Sequence, residues 1–161
     1  MSSSLTHSEV KELVAQFYRL VDLHANAEEF IPILAEEGLR MALAHGEINN
    51  FEDFKAWYDP LIRSFFDGIH KIYDVELLST SNTEAKAKVV LVWDASVWIP
   101  PAPKSDRISI LTYTNWTVRR SLKTGKPVMA AYLVDHLNYL EGTVQTTPDK
   151  YAEGSAQAAP G

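Results

Sequence analysis

One histidine, His70, stands between apolar neighbours in the stretch FDGIHKIYDVELL (66–78), where a helical pattern gives way to an alternating one. Its side chain is either packed and hydrogen-bonded to backbone or the working group of a small pocket. An imidazole of ordinary pKa, about 6.5, takes up and returns a proton near neutral pH, which is the chemistry such a pocket would use. Tyr18 lies at the edge of the first helix's apolar face, four residues before Asp22. It can aim its hydroxyl inward, or serve as an amphipathic residue at the core boundary. His24 ends the same helix, where the backbone dipole favours positive charge and a capping role competes with a binding one. Asp135 and His136 are neighbours in the last strand pattern, so at most one of them faces an interior. His45 lies beside Gly46. The aromatics Trp57, Tyr58, Phe65, Trp93, Trp98 and Trp116 are read mostly as core or interface, with one or two as an apolar wall for a flat ligand.

Other chemistries lack their residues. The chain contains no cysteine, which removes disulfides, thiolate metal sites and cysteine nucleophiles. No His-x-His or His-Glu-x-x-His spacing suggests a metal, and no serine sits in a Gly-x-Ser-x-Gly elbow. Neither a metal nor a cofactor is expected. A net charge of −6 argues against binding to phosphate backbones, which requires clustered lysine and arginine. No apolar run approaches the roughly 20 residues of a membrane span. The start MSSSLTHSEVKE lacks a basic region followed by an apolar stretch, so a cytoplasmic protein is expected. The 161 residues fit one domain, over residues 1–141, and the small and polar residues of 142–161 suggest a mobile tail.

The elements that must position these residues follow from periodicity. Thr6 and Glu9 match a capping box that opens a helix running to about Ala25, with Val10, Leu13, Val14, Phe17 and Val21 on one face. Asn26 can cap a shorter helix holding Phe30, Ile33 and Leu34, in which Pro32 belongs in the first turn. MALAHGEI (41–48) is ambiguous between strand and turn. Asn50 caps a third helix, which Pro60 should kink or break and Gly68 should close. Beyond Gly68 the period becomes two, and four strands follow: 70–78, 85–99, 107–120 and 127–137. Helices first and hairpin-joined strands afterwards predict an α+β domain, a curved antiparallel sheet with helices over one face.

Parity separates the faces of the second strand. Ala87, Val89, Leu91, Trp93, Ala95 and Val97 should face the helices, because Lys86, Lys88 and Asp94 share the opposite set. Val90, Val92 and Trp98 lie in that outward set and are too apolar for a solvated face. A homodimer burying them, with Ile110 and Trp116 opposite, is the expected assembly. In the third strand, the set of Leu111, Tyr113, Asn115 and Thr117 and the set of Ile110, Thr112, Thr114 and Trp116 are not separated by pattern alone.

This layout resembles the nuclear transport factor 2-like superfamily, especially its SnoaL-like and scytalone dehydratase branch, over about residues 8 to 140. The resemblance rests on element order, on DLHANAEEFIPIL, on HKIYDVEL and on NWTVRR…GKPVMAAYLVD. It implies a cone-shaped barrel, a strongly bent antiparallel sheet around the N-terminal helices with a hydrophobic pocket at the open end. It also implies His70 as pocket acid/base, Tyr18 as an inward hydroxyl, and Asn115 with Tyr113 as the inward set of the third strand. Trp93, Trp57, Tyr58, Phe65, His24, His45 and Asp135 complete the expected pocket. The chain departs from the family at Ala95, where the dehydratases carry a second histidine, and near Leu43, where the isomerases carry a carboxylate base. Two functions therefore stand side by side. One is a cofactor-free dehydratase, isomerase or cyclase acting on a small apolar or aromatic molecule. The other is a non-catalytic ligand-binding or accessory dimer of the same fold.

Overall fold

A computed structural model describes residues 4–43 and 46–140 of the chain. Helix α1 (His7–Asp22) begins at the expected box: Thr6 Oγ1 accepts from the Glu9 N–H, and the Glu9 carboxylate accepts from the Thr6 N–H, each at 3.0 Å. It stops three residues earlier than its periodicity suggests. The N–H groups of His24 and Ala25 turn back to the carbonyls of Val21 and Leu20, and His24 adopts a φ of 54°. That is a left-handed helix end, a place where glycine is the usual residue. The next element, Ala27–Ile33, is a 3₁₀ helix, and Pro32 lies near its end and not in its first turn. Its short i→i−3 ladder stops at the next residue, so the missing N–H is tolerated.

The ambiguous segment holds two short strands, β1 (Arg40–Leu43) and β2 (Gly46–Ile48), paired antiparallel. Helix α2 (Phe51–Ser64) starts where Asn50 Oδ1 accepts from the Asp53 N–H at 2.8 Å. Pro60 does not break it, and the Ser64 hydroxyl donates to the Pro60 carbonyl at 2.8 Å. The helix ends at Ser64, four residues before Gly68, and the chain passes directly into β3 (Phe65–Thr80). Strands β4 (Glu84–Val97), β5 (Asp106–Arg120) and β6 (Pro127–Tyr139) follow as a meander. The β5–β6 turn needs a positive φ, which Gly125 supplies at 74°.

The sheet runs β2-β1-β6-β5-β4-β3. It departs from the sequence expectation twice: it has six strands where four were expected, and β1 joins β6 in parallel. It also does not close into a barrel, since β2 and β3 remain edges of a curved sheet. Register shifts in the β3–β4 and β5–β6 ladders mark where the strands bend.

The apolar face of α1 packs into the concave side of the sheet. Val10, Leu13, Val14 and Phe17 meet Ala85, Ala87, Val89 and Leu91 of β4 and Trp116, Val118, Met129 and Tyr132 of β5 and β6. The parity expected for β4 is the observed one, with Trp93 half-buried among the inward residues. In β5 the outcome reverses the reading that family resemblance favoured. Ile108, Ile110, Thr112, Thr114, Trp116 and Val118 face inward, and Tyr113 and Asn115 lie on the outer face. Trp116 and Ile110 are therefore interior residues and not part of an outer contact. Trp116 Nε1 donates to Thr114 Oγ1 at 3.1 Å, and that hydroxyl donates to the Val89 carbonyl at 3.1 Å, so this buried polar pair is satisfied.

This parity has a direct consequence for stability. Trp116→Ala should lower unfolding free energy by about 3–5 kcal/mol in urea titrations, through the cavity and the lost hydrogen bond to Thr114. Asn115→Ala, on the outer face, should cost less than about 1 kcal/mol. The reverse order would show that β5 is turned the other way.

Candidate active site

The concave end of the sheet, α1 and α2 line an open-sided cavity of about 110 Å³. Its walls are Phe17, Tyr18 and Val21 from α1, Trp57 and Leu61 from α2, Leu43 from β1, and inward residues of the four long strands. Among the described residues, no Lys, Arg, Asp or Glu lines it. Tyr18, His70, Thr112 and Tyr132 bring polar atoms to it, beside the indoles of Trp57 and Trp93.

His70 is placed by two independent features. A register shift between Phe66 and Ile69 sets the strand so that His70 pairs opposite Trp93 and shares its inward direction. At the free edge of β3 the backbone N–H of His70 then donates to Asp22 Oδ2 at 3.0 Å, while its ring Nδ1 meets Asp22 Oδ1 at 2.6 Å. One carboxylate thus holds both the main chain and the ring. Because a carboxylate accepts, Nδ1 carries the hydrogen, and in the neutral ring Nε2 keeps its lone pair. Tyr18 stacks on one side of the imidazole, with centroids 4.6 Å apart, and Trp93 lies nearly parallel at 5.7 Å. The ring is oriented by a charge and clamped by two aromatic planes. Its Nε2 has no hydrogen-bond partner among the described residues.

Asp22 is the functional residue that sequence reasoning passed over. Its signal was electrostatic: a carboxylate in the last position of a helix sits against the negative end of the dipole and needs a partner elsewhere.

The second polar feature is a pair of phenols. Tyr18 and Tyr132 lie with their hydroxyls 3.2 Å apart. Burial pushes both phenols above their ordinary pKa, Tyr18 well above it, so both stay neutral and act as hydrogen-bond donors. Tyr132 was also not anticipated. Once β6 is known to pair with β5, its position opposite the inward Trp116 fixes its direction.

The remaining expected site residues divide clearly. Trp57, Trp93, Tyr18 and His70 line the cavity. Phe65 and His24 line instead a small adjoining space of about 20 Å³ behind His70, and the His24 side chain is exposed at the helix end. Tyr58 is fully buried in the core, its hydroxyl donating to the Ala25 carbonyl at 2.6 Å, and does not reach the cavity. Asn115 and Tyr113 are removed from the site by the parity of β5, and Tyr113 stacks on His136 on the outer face, with centroids 4.1 Å apart. Asp135 is the extra residue of a bulge, since Tyr113 pairs with His136 and Thr114 with Val134. The bulge leaves Asp135 exposed and turns Val134 and Leu137 inward, so neither Asp135 nor His136 faces the cavity. His45 lies outside the described residues. Among the described residues no three His, Cys, Asp or Glu side chains gather as a metal site, and no helix is long and apolar enough to cross a membrane.

This geometry belongs to the nuclear transport factor 2-like, cystatin-like α+β fold. No family model matches the chain, and no curated protein does. Solved structures do. The hexachlorocyclohexane dehydrochlorinase LinA-type3 from Novosphingobium barchaimii LL02 superposes with a TM-score of 0.66 at 12% identity, covering 88% of this chain and 94% of that one. A candidate scytalone dehydratase from Novosphingobium aromaticivorans gives 0.63 at 13% identity, with 87% and 93% covered. An NTF2-like protein with a cystatin-like fold from the same species gives 0.58 at 16% identity, with 85% and 83% covered. At these identities the likeness is one of fold.

The buried phenols make stability sensitive to alkali. Below about pH 10 both folded and unfolded tyrosines hold their protons; above it the unfolded chain loses them while folded Tyr18 and Tyr132 do not. Folding free energy should therefore fall as pH rises from about 10 upward, and Tyr18→Phe should flatten that fall. Chemical denaturation at several alkaline pH values measures both slopes; equal slopes would show that Tyr18 does not contribute.

Proposed function

We propose that the protein is a cofactor-free acid/base enzyme that removes a carbon-bound proton from a small, largely apolar molecule. The observation that carries this reading is His70, held at Nδ1 by Asp22 and offering Nε2 to an apolar cavity. In the proposed step Nε2 takes the proton, and the electrons of the broken C–H bond pass toward an electron-withdrawing group on the same molecule. Oxygen on that group would accept a hydrogen bond from the Tyr18–Tyr132 pair, which offsets the charge it gains. Asp22 offsets the charge of the resulting imidazolium. Elimination of water follows where the imidazolium returns its proton to a leaving hydroxyl, and isomerisation follows where it returns it to another carbon. Fold neighbours named for loss of hydrogen chloride and for dehydration support an elimination.

Exchange of α-hydrogens offers a test that needs no natural substrate. Cyclic ketones in D₂O, followed by proton NMR, should exchange faster with the protein than without it. His70→Asn should lower the accelerated rate by roughly 10²–10⁴-fold, the usual loss for an acid/base residue. Asp22→Asn should lower it as well, with ligand affinity changed less. Identical rates for wild type and His70→Asn would end the catalytic reading in favour of a non-catalytic ligand-binding module. That second reading has its own support, since Leu43 is an apolar wall residue and Ala95 is buried and inert, so neither adds a second acid/base group.

The self-association proposed for the outer face narrows to the half-buried Val90 and the exposed Trp98, since Val92 is already buried within the single chain. Val90→Glu should convert a sedimenting dimer to monomer. A monomeric wild type at micromolar concentration would remove the proposal.

A further inference from the structure

We propose that the cavity selects an uncharged, single-ring molecule bearing one oxygen, such as a phenol or a cyclic ketone, and holds that oxygen on the Tyr18–Tyr132 hydroxyl pair. This rests on the cavity being the ligand site named above, and it holds whether or not chemistry follows binding.

Size sets the first limit. The cavity measures about 110 Å³. A dry protein cavity of about 150 Å³ accommodates benzene, so one six-membered ring fills the space available here. A second fused ring would have to displace Phe17, Leu91 or Ile110, each with an exposure of 2% or less, or push aside the half-buried Trp57 and Trp93 that line the same cavity. Such displacement in a close-packed interior is costly.

Charge sets the second. Among the described residues, the ionised group beside the cavity is Asp22, and it lies behind the imidazole of His70. With the imidazole neutral the pair carries one negative charge; with it protonated the pair sums to zero. The site is never positive, so a carboxylate or phosphate entering it would be desolvated with no counter-charge. A cation fares little better, because both Asp22 oxygens already accept from His70.

The third limit is the direction of the hydrogen bonds. Thr112 donates to the Ile110 carbonyl, and Thr114 and Trp116 satisfy each other and Val89. One of the two hydrogens of the Tyr18–Tyr132 pair is used between the hydroxyls, and the other is left for a ligand oxygen. Beside the two tryptophan indoles and the Thr112 oxygen, the polar wall therefore presents one hydroxyl donor and one imidazole acceptor, against apolar walls elsewhere. A ring with a single oxygen matches that pattern, and a polyhydroxylated one does not.

Isothermal titration calorimetry on the full chain at neutral pH tests this with phenol, cyclohexanone, toluene, cyclohexanecarboxylate, cyclohexylammonium and 2-naphthol. Phenol and cyclohexanone should bind about ten-fold or more tighter than either charged ring, and tighter than 2-naphthol. Tyr132→Phe should weaken phenol and cyclohexanone by about five-fold or more, the loss of one hydrogen bond, and leave toluene within about two-fold. Trp57→Ala should admit 2-naphthol, and Leu61→Ala serves the same purpose if circular dichroism shows the first variant unfolded. Tightest binding of a charged ring or of 2-naphthol would overturn the proposal. So would equal losses for toluene and phenol on Tyr132→Phe, or no binding of any single ring. His70→Asn separates the two readings. Ring selectivity with no His70-dependent exchange keeps this inference and removes the enzyme, whereas His70-dependent exchange of larger or charged molecules does the opposite.

Discussion

The site depends on one carboxylate reaching across from the end of a helix to the edge of a sheet. Asp22 accepts from the backbone and from the ring of His70 together, so the same contact that docks α1 on β3 also fixes which imidazole nitrogen carries a hydrogen. The arrangement turns two unfavourable features into a favourable one. An aspartate at a helix C-terminus faces the negative end of the dipole, and an edge-strand N–H at this position needs an acceptor. Each supplies what the other lacks. Folding therefore delivers a ring in a defined tautomer without a separate orienting residue.

Around that contact the cavity is built from apolar and aromatic surfaces, with polarity confined to one wall. Tyr18 contributes three times: its ring stacks on His70, its edge meets Phe17 and Trp116, and its hydroxyl pairs with Tyr132. Burial keeps that phenol neutral, so it acts as a donor and not as a charge. Aromatic contacts of this kind leave few rotamers open, and a preorganised site loses little entropy when a ligand arrives.

Much of this was legible in the sequence because period and capping speak locally. The change from period 3.6 to two after the third helix found β3 and with it His70. The Thr6–Glu9 box found the start of α1. The inward set of β4 followed from its lysines and Asp94. What escaped depended on partners far away in the chain. In β5, the inner parity (108, 110, 112, 114, 116, 118) holds three large apolar residues and one valine, while Arg107 and Arg119 bracket the outer one. Counting the strand to both ends would have separated the sets, where the central residues alone did not. Asp135 defeated parity for a different reason, since a bulge at that residue shifts the alternation of β6 midway. Asp22 carried no local pattern beyond its spacing from Tyr18, and only its mismatch with the helix dipole sets it apart.

The sheet's failure to close has a consequence for how such a protein can change over generations. Between the free edges β2 and β3, part of the cavity wall is α2, through Trp57 and Leu61. A closed barrel ties the width of its interior to strand number and stagger, both fixed by hydrogen-bond register. Here that wall is held by side-chain contacts and not by ladder hydrogen bonds, so the chamber can be resized by exchanging residues on one face of one helix while every ladder bond and the Asp22–His70 contact stay as they are. The Asp22–His70 geometry and the shape of the chamber are thus separable traits, and selection can act on one without disturbing the other.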